Sequence, residues 1–493
     1  MRHVGGLCCW VLCRRSTPCL WGDLGRVALG WGLGPPGSAV VKSREDDVMS
    51  KIKIVFWGSL AVLTGLWLWA DSFVTDPLGF FPVRAVMVQY SGVLGICIMS
   101  VAMVLAARPA WLEPHLNGLD KFYRLHKWLG IAGLIMAIFH WAWAKGTKYA
   151  VGFGWLDRPQ RAPRPPEDIL GPIEQAFRST RGTAEFVGEW AFYFAVILIV
   201  LALIKSFPYR LFAKTHWLLA PIYLVLVFHS VILMKFDYWT QPIGIVTGVL
   251  MLAGVVAAVM SLFGLIGRGR RTSGTVTGVE YFPALQVLET RIELDEGWKG
   301  HQGGQFAFVT IDPAEGAHPF TIASAWNKET RSITFISKAL GDYTDRMPHH
   351  VEVGMKATVE GPYGRFNFGD GGRKQIWIGG GIGITPFIAR MKQLAQAPHD
   401  LDIDLVHTTS TFDDEPFRRL TADASGADVR LHVLIDARDG RLNGERLRAL
   451  VPGWETASIW FCGPASFGEA LRTDLVANGL SPAHFHQELF NMR

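Results

Sequence analysis

Long apolar windows alternate with short polar connections over the first half of the chain, and short alternating segments replace them in the second half. A predominantly apolar stretch of about 20 residues is long enough to cross a bilayer as a helix. The windows predict six membrane-spanning helices, near residues 52–70, 86–106, 125–144, 187–206, 216–234 and 243–266. The chain is therefore expected to be multi-domain: a six-helix transmembrane bundle in a lipid bilayer, followed by soluble domains that begin near residue 267.

Basic residues in the connections indicate the orientation of the bundle. Lysines and arginines lie before the first window, in the second and fourth connections, and after the sixth window. Cytoplasmic connections of membrane proteins carry the excess of basic residues. Both termini and the soluble domains are therefore expected in the cytoplasm, with the bundle in the cell (inner) membrane. The long third connection, 145–186, is expected to form an irregular lid on the outer face.

Composition changes this picture mainly at the N terminus. The formal net charge of the 493 residues is +5, but the basic residues are scattered and follow membrane topology, so no nucleic acid partner is expected. Residues 1–48 hold four of the six cysteines and are interpreted as an atypical extension, with the working protein beginning near Met49. A targeting peptide is the alternative. The sequence indicates no disulfide framework and no particular oligomeric state.

Four histidines lie inside the predicted spans, His126 and His140 on the third and His216 and His229 on the fifth. Ionisable side chains are costly in a bilayer, so they usually mark ligands, pathways or the interior of a bundle. Each separation, of fourteen and thirteen residues, places one histidine towards each membrane surface. Because the third and fifth spans run in the same direction, His126 should face His216 on the cytoplasmic side, and His140 should face His229 on the outer side.

Two histidines on opposite faces of one iron are typical ligands of a b-type haem that carries electrons. The sequence therefore predicts two b-type haems, one towards each membrane surface, with these four histidines as metal ligands. The spacing of His216 and His229 leaves about 140° of rotational mismatch, which a kink at Pro221 or a π-bulge would correct. Hydrogen bonding between helices is the alternative role.

The soluble half contains two different patterns. Short β-like runs separated by Gly and Pro follow residue 272 and predict an antiparallel β-barrel. The segment RKQIWIGGGIGITPFIARMKQLA, 373–395, reads as a strand, a glycine turn and a helix, and predicts an α/β nucleotide-binding domain. Thr385 is expected to cap this helix and Pro386 to be its first residue. The glycines that let the backbone approach a pyrophosphate are Gly379, Gly380, Gly381 and Gly383.

With HPFT at 318–321 and KALGDYT at 338–344, the chain resembles the NADPH oxidase and ferric reductase family. That family joins six haem-binding spans to a ferredoxin-NADP reductase-type module, and the resemblance covers about residues 52–493. It implies FAD and NAD(P)H as further cofactors. The resulting division is an extension at 1–48, a ferric reductase-like transmembrane domain at 49–267, an FAD-binding β-barrel at 268–372 and an NAD(P)-binding α/β domain at 373–493.

The resemblance also implies the cofactor-binding residues. The flavin ring is expected along His318, Pro319, Phe320 and Thr321, and its phosphates near Lys338, Gly341, Asp342, Tyr343 and Thr344. Two further motifs of the family, GPYG and CGP, add Gly361, Pro362, Tyr363, Gly364, Gly463 and Pro464. Cys462 is expected near the nicotinamide, with a buried structural thiol as the alternative. Phe490 is a candidate cover for the flavin face.

These features predict a transmembrane oxidoreductase that passes electrons from cytosolic NAD(P)H through FAD and two haems to an outer-face acceptor. The acceptor stays open between oxygen, a ferric chelate and a redox protein. The choice of NADH or NADPH is also open, because the second α/β strand ends without an arginine, although Arg418, Arg419 or Arg438 is able to fold back. The alternatives are a haem-containing, quinone-linked subunit of a periplasmic redox system, and a membrane sensor or transporter with a reductase-like regulatory domain.

Overall fold

Nine α-helices precede the first strand in the described residues of the computed structural model, which are 44–75, 79–109, 111–116, 118–157, 171–204 and 206–487. They are α1 (Arg44–Ala70), α2 (Phe80–Ala106), α3 (Glu113–Leu116), α4 (Leu119–Trp141), α5 (Thr147–Gly152), α6 (Pro172–Leu203), α7 (Tyr209–Trp217), α8 (Leu219–Leu233) and α9 (Pro242–Leu262). A π-helical turn, Ala142–Gly146, joins α4 to α5.

Six stretches of helix in the described residues are long and apolar enough to cross a membrane, which confirms the predicted number. They run over Ile52–Ala70, Phe80–Ala106, Lys121–Gly152, Pro172–Leu203, Arg210–Leu233 and Pro242–Leu262. The third and fourth, at 32 residues each, extend well past their apolar windows. Helix length in this part of the chain is therefore not set by hydropathy alone.

The third connection differs from the irregular lid expected over 145–186, because α5 and the first half of α6 occupy its described parts. Charged pairs spaced four residues apart support the polar start of α6, with Arg178 and Glu174 at 3.2 Å and Arg181 and Glu185 at 3.0 Å. Residues 158–170, which include most of the proline-rich segment, lie outside the described residues, as do residues 1–43 of the expected extension.

The fifth span is interrupted close to the predicted kink. The structure ends α7 at Trp217 and begins α8 at Leu219, which places Pro221 in the first turn of α8. Proline has no backbone N–H, so it is tolerated in a first helical turn and disrupts a continuous helix. The interruption lies between His216 and His229, where the mismatch in rotation had to be corrected.

An antiparallel sheet of six strands follows the bundle, in the order β4-β3-β6-β1-β2-β5. The strands are β1 (Arg271–Phe282), β2 (Val287–Leu294), β3 (Phe306–Thr310), β4 (His318–Thr321), β5 (Ser332–Lys338) and β6 (Lys356–Tyr363), and α10 (Asp342–His350) connects the last two. A bridge between Ile322 and Phe335 joins the two edge strands of the sheet. The antiparallel sheet was expected, and its closure into a barrel stays a prediction.

A parallel sheet of five strands completes the described chain, in the order β11-β10-β7-β8-β9. Its strands are β7 (Lys374–Gly380), β8 (Asp402–Thr409), β9 (Val429–Ile435), β10 (Ser458–Cys462) and β11 (Phe485–Gln487). Its helices are α11 (Thr385–Leu394), α12 (Asp414–Gly426), α13 (Asp436–Asp439), α14 (Gly444–Leu450) and α15 (Ala465–Ala477). The central strands are buried on both faces, as expected where helices cover a parallel sheet.

The described residues form one unit, in which the bundle packs directly against the antiparallel sheet. One buried apolar cluster joins the two parts. Its strand members are Phe306, Phe308 and Tyr363, and its helix members include Ile52, Phe56, Leu105, Phe122 and Leu125. Each of these helix residues lies near the end of its span that a basic segment flanks. The soluble half is therefore attached at the end of the bundle that was expected to face the cytoplasm.

Candidate functional site

The four histidines of the bundle lie in the two pairs that the sequence predicts. The ring centres of His126 and His216 are 5.9 Å apart, and those of His140 and His229 are 6.4 Å apart. A metal-bound imidazole nitrogen lies about 2 Å from the metal, so two imidazoles on opposite sides of one ion have ring centres about 6 Å apart. Both pairs therefore have the spacing expected of two axial ligands.

Three of the four rings are oriented by a hydrogen bond at Nδ1. The acceptors are the Ala102 carbonyl for His126 at 2.9 Å, the Ala184 carbonyl for His229 at 2.8 Å and the Ser91 hydroxyl for His140 at 3.0 Å. A histidine that donates through Nδ1 presents Nε2 to a metal, and such contacts orient metal ligands in many proteins. The rings are therefore held as ligands would be.

His216 is oriented differently from the other three. Its ring stacks on Phe212, with centres 5.0 Å apart and planes inclined by 26°. Its Nδ1 is buried without a hydrogen-bond partner in the part of the chain that the structure describes. A buried polar atom without a partner is costly, and His216 lacks the orienting hydrogen bond that the other three rings have.

A cavity of about 440 Å³ lies beside the outer pair, His140 and His229. Two glycines make room for these rings. A Cβ at Gly188 would lie 1.9 Å from His229 Nδ1, and one at Gly92 would lie 3.1 Å from His140 Cε1. The cavity combines an apolar lining with a charged rim that includes Arg84, Lys145, Lys148, Arg181, Lys235, Glu185 and Glu189. The residues present therefore fit a haem, which has a flat apolar ring and two acidic side chains.

The HPFT motif forms strand β4, which pairs with β3. The His318 ring stacks on Tyr343 of the second motif, with centres 4.2 Å apart and planes inclined by 17°. Burial lowers the pKa of His318, and it raises the pKa of Tyr343 to about 12, where the charges of Asp312 and Glu315 add to the effect. Both rings are therefore uncharged at neutral pH, which suits an aromatic surface beside a flavin.

The GDYT motif forms the start of α10, with Gly341 as its N-cap residue. The Thr344 hydroxyl accepts hydrogen bonds from the backbone N–H groups of Leu340 at 3.0 Å and Gly341 at 3.1 Å. These contacts fix the turn between β5, which ends at Lys338, and the helix. A helix N terminus with a nearby lysine is well suited to a diphosphate, so the structure is compatible with the predicted position of the FAD phosphates.

The glycine turn lies at the carboxyl edge of the parallel sheet, next to the residues that follow β10. β7 has β8 on one side and β10 on the other, so the strand order reverses there. Open α/β sheets bind ligands at this kind of position. The Cβ position of Gly380 is 3.2 Å from Pro464 Cδ and 3.5 Å from Gly463 Cα. The two predicted nucleotide motifs therefore form one crevice.

Thr385 and Pro386 each lie one helix position later than the sequence predicted. The helix begins at Thr385, with Ile384 as the N-cap residue and Pro386 as its second residue. The Thr385 hydroxyl donates to the Ile382 carbonyl at 2.8 Å, so it stabilises the preceding 3₁₀ turn and does not cap the helix. The prediction of Thr385 as the cap was therefore wrong, because the turn ends in a residue without a capping side chain.

Cys462 ends β10 beside the glycine turn, and only 1% of the residue is exposed. The Cβ position of Gly383 is 2.2 Å from the Cys462 carbonyl oxygen, so the backbone of this cysteine shapes the crevice. A role of its thiol near the nicotinamide stays a prediction. Phe490, the candidate flavin cover, lies outside the described residues.

The GPYG motif ends β6 and faces the bundle. Tyr363 is 3% exposed and packs on Phe306 and Phe308, with ring centres 5.9 and 5.6 Å apart. Its hydroxyl donates to Glu360 at 2.8 Å. The sequence analysis grouped Tyr363 with the cofactor residues and missed this junction. The signal for it was a single carboxylate inside the otherwise apolar strand ATVEGPY.

Two family models match segments of the chain. Residues 91–227 match the family described as ferric reductase like transmembrane component, and residues 275–367 match the family described as FAD-binding domain. A flavohemoglobin from Malassezia yamatoensis with bound FAD and heme has a TM-score of 0.43 at 18% identity, covering 83% of this chain and 96% of that chain.

Two relatives resemble the chain in sequence. The glycine betaine monooxygenase reductase subunit of Chromohalobacter salexigens is 28% identical over 203 residues, which are 38% of this chain and 55% of that protein. The carnitine monooxygenase reductase subunit of Escherichia coli K12 is 30% identical over 141 residues, which are 28% of this chain and 42% of that protein. The chain thus spans about half the length of such relatives or less.

Both domain matches agree with the oxidoreductase class expected from the sequence. The described helices agree with a multi-pass membrane protein. The chain therefore combines a ferric reductase-like transmembrane domain with an FAD-binding reductase domain, as the resemblance of its sequence implied.

Proposed function

We propose that the protein is a transmembrane oxidoreductase that carries electrons from cytosolic NAD(P)H, through FAD and two b-type haems, to an acceptor on the outer face. The observation that carries this proposal is the pairing of His126 with His216 and of His140 with His229, at ring separations of 5.9 and 6.4 Å. Paired axial ligands leave the iron without an open coordination position, which suits electron transfer.

The soluble half supplies the groups needed at the donor end. A flavin converts the two-electron hydride of a nicotinamide into single electrons that haem iron accepts. The stacked rings of His318 and Tyr343 offer an aromatic surface for it. The crevice between the glycine turn and Gly463 offers backbone groups for a dinucleotide.

The attachment of the soluble half supports the direction of transfer. The antiparallel sheet packs on the bundle end that carries the basic segments, and Arg210 at the start of α7 lies 3.8 Å from Glu315 of this sheet region. By the basic-residue rule this end faces the cytoplasm, in the inner membrane. The cavity beside His140 and His229 then opens towards the outer side, where oxygen or ferric iron would accept electrons.

The proposal is tested by spectroscopy of the purified full-length chain. Anaerobic addition of NADH or NADPH should bleach a bound flavin and then produce the reduced spectrum of b-type haem, at two haems per chain. Oxygen, ferric citrate and a quinone would then be compared as oxidants. A protein that lacks haem would contradict the proposal and favour a sensor or transporter, and exchange of electrons with quinone alone would favour the quinone-linked subunit.

We expect NADH to be preferred over NADPH. The three arginines that the sequence offers for a 2′-phosphate are all held by carboxylates. Arg418 contacts Glu415 at 2.7 Å, Arg419 contacts Glu280 at 2.7 Å and Glu415 at 2.8 Å, and Arg438 contacts Asp439 at 2.9 Å. A 2′-phosphate would have to displace carboxylates such as Glu415, which follows β8, whereas a ribose hydroxyl is able to donate to a carboxylate there.

The ratio of kcat/KM for the two nucleotides measures this preference, and we expect it to favour NADH by about tenfold or more. Glu415→Gln should narrow the ratio, because it loosens Arg418, while Arg419 keeps its contact with Glu280. The matched control is Glu296→Gln, which removes a carboxylate that is 94% exposed and 3.8 Å from Arg331. A preference of the unaltered chain for NADPH would contradict the prediction.

A further inference from the structure

A buried carboxylate ties the antiparallel sheet to the membrane bundle. Glu360 on β6 is 4% exposed. One of its oxygens lies 3.1 Å from the Arg108 guanidinium, just after α2, and the other lies 2.9 Å from Arg271, just after the last span. The Tyr363 hydroxyl also donates to it, at 2.8 Å. A buried carboxylate is tolerated when it is paired and hydrogen-bonded, so this cluster depends on both parts of the protein being in place.

Arg108 is held tightly at the junction. Its guanidinium lies over the Phe308 ring at 4.7 Å and near the Tyr363 ring at 5.9 Å. Its backbone has a φ of +51°, in the left-handed region that residues with a side chain rarely adopt. The Arg108 side chain is 14% exposed, so its ion pair and its aromatic contacts are largely shielded from solvent. The junction is therefore built around this one arginine and its carboxylate.

The same junction lies between the candidate flavin strand and the helix of the inner histidine pair. β3 pairs with β4, so that Phe308 faces Pro319 and Phe306 faces Thr321 of the HPFT motif. Phe306 and Phe308 share a buried cluster with Leu125 of α4, the neighbour of His126. A continuous packed path therefore runs from the flavin strand to the inner histidine pair.

We propose that Glu360 is a positioning residue for electron transfer from the flavin to the inner haem. This inference rests on the function proposed above. The step is a one-electron transfer in which the reduced flavin is oxidised, the ferric iron is reduced, and the flavin releases its proton to solvent. Such transfer slows steeply with distance. Glu360, on the strand next to β3 and paired with Arg108, holds the antiparallel sheet against the bundle and thereby fixes the distance between the two cofactors.

Anaerobic stopped-flow measurement with NADH separates this role from a general structural one. In Glu360→Gln, flavin reduction should stay within about twofold of the unaltered chain, because the nucleotide crevice is not touched, whereas haem reduction should slow by about tenfold or more. Arg108→Gln should act in the same way. The double variant should be no slower than Glu360→Gln, because that change already breaks the contact with Arg108. Arg108→Lys, which keeps the charge, should restore part of the rate.

The control is Glu296→Gln, since it removes an exposed carboxylate of the same sheet region and should leave both rates unchanged. FAD and haem contents are measured for every variant. Unaltered haem reduction in Glu360→Gln with full cofactor content overturns the inference. If Glu360→Gln does not fold, Arg108→Gln tests the inference in its place, because Glu360 then keeps its ion pair with Arg271. If the unaltered chain reduces its flavin but no haem, the proposed function itself fails, and that outcome is distinct from a failure of the junction alone.

Discussion

Replacing Gly188 with alanine is expected to remove the outer haem and to stop electron transfer across the membrane. A Cβ at this position would lie 1.9 Å from Nδ1 and 2.5 Å from Cγ of His229. Atoms that are not bonded do not approach so closely, so the ring has to move. The ring also has to leave the Ala184 carbonyl, one turn earlier on α6, to which it donates at 2.8 Å. His229 then no longer faces His140 at the spacing of an axial pair.

The haem content of purified protein should fall from about two to about one per chain, and reduction of an outer acceptor should fall by about 100-fold. Gly182→Ala is the matched control, because it lies on the same helix with no atom within 4 Å of the added methyl. That variant should keep both haems, since alanine favours a helix more than glycine does. Two haems and full transfer in Gly188→Ala would show that His229 is not an axial ligand.

The pairing of the histidines was predictable because helix geometry converts sequence separation into depth. His126 and His216 needed only two parallel spans to meet at one level of the bundle, and the structure places their ring centres 5.9 Å apart. An interruption of the fifth span close to Pro221 was also predictable, since proline disrupts a continuous helix. In both cases the sequence of the spans themselves was sufficient for the prediction.

The early start of α6 and the role of Gly188 were not predictable from local pattern. Hydropathy places the fourth span near residue 187, but ion pairs extend the helix back to Pro172. Gly188 is one of several glycines in apolar helices, and only its approach to His229 on α8 distinguishes it from Gly182. Such contacts arise between segments far apart in sequence, so a single chain pattern does not reveal them.

The junction at Glu360 illustrates the same limit. Its partners Arg108, after α2, and Arg271, the first residue of β1, come from basic segments that were interpreted by their charge as markers of orientation. The structure gives these two arginines a second role, because a buried carboxylate needs partners from both the bundle and the sheet. Arg108 is therefore consistent with orienting the bundle and with attaching the soluble half to it.

Alanine at Gly383 is expected to abolish reduction by NAD(P)H while the haems stay bound. A Cβ at this position would lie 2.2 Å from the carbonyl oxygen and 2.6 Å from the carbonyl carbon of Cys462. Both are backbone atoms, so no rotation of a side chain relieves the contact. Either the glycine turn or the end of β10 has to shift, and the crevice loses the close backbone approach that a pyrophosphate requires.

Steady-state oxidation of NADH should fall by about 100-fold or more, since small displacements of a binding site have effects of this size. Dithionite reduces haem without a nucleotide, so it should still produce the reduced haem spectrum in this variant. Gly426→Ala is the control, because it ends α12 of the same domain and the added methyl has no atom within 4 Å. NADH oxidation at the normal rate in Gly383→Ala would mean that the dinucleotide binds away from the point where the strand order reverses.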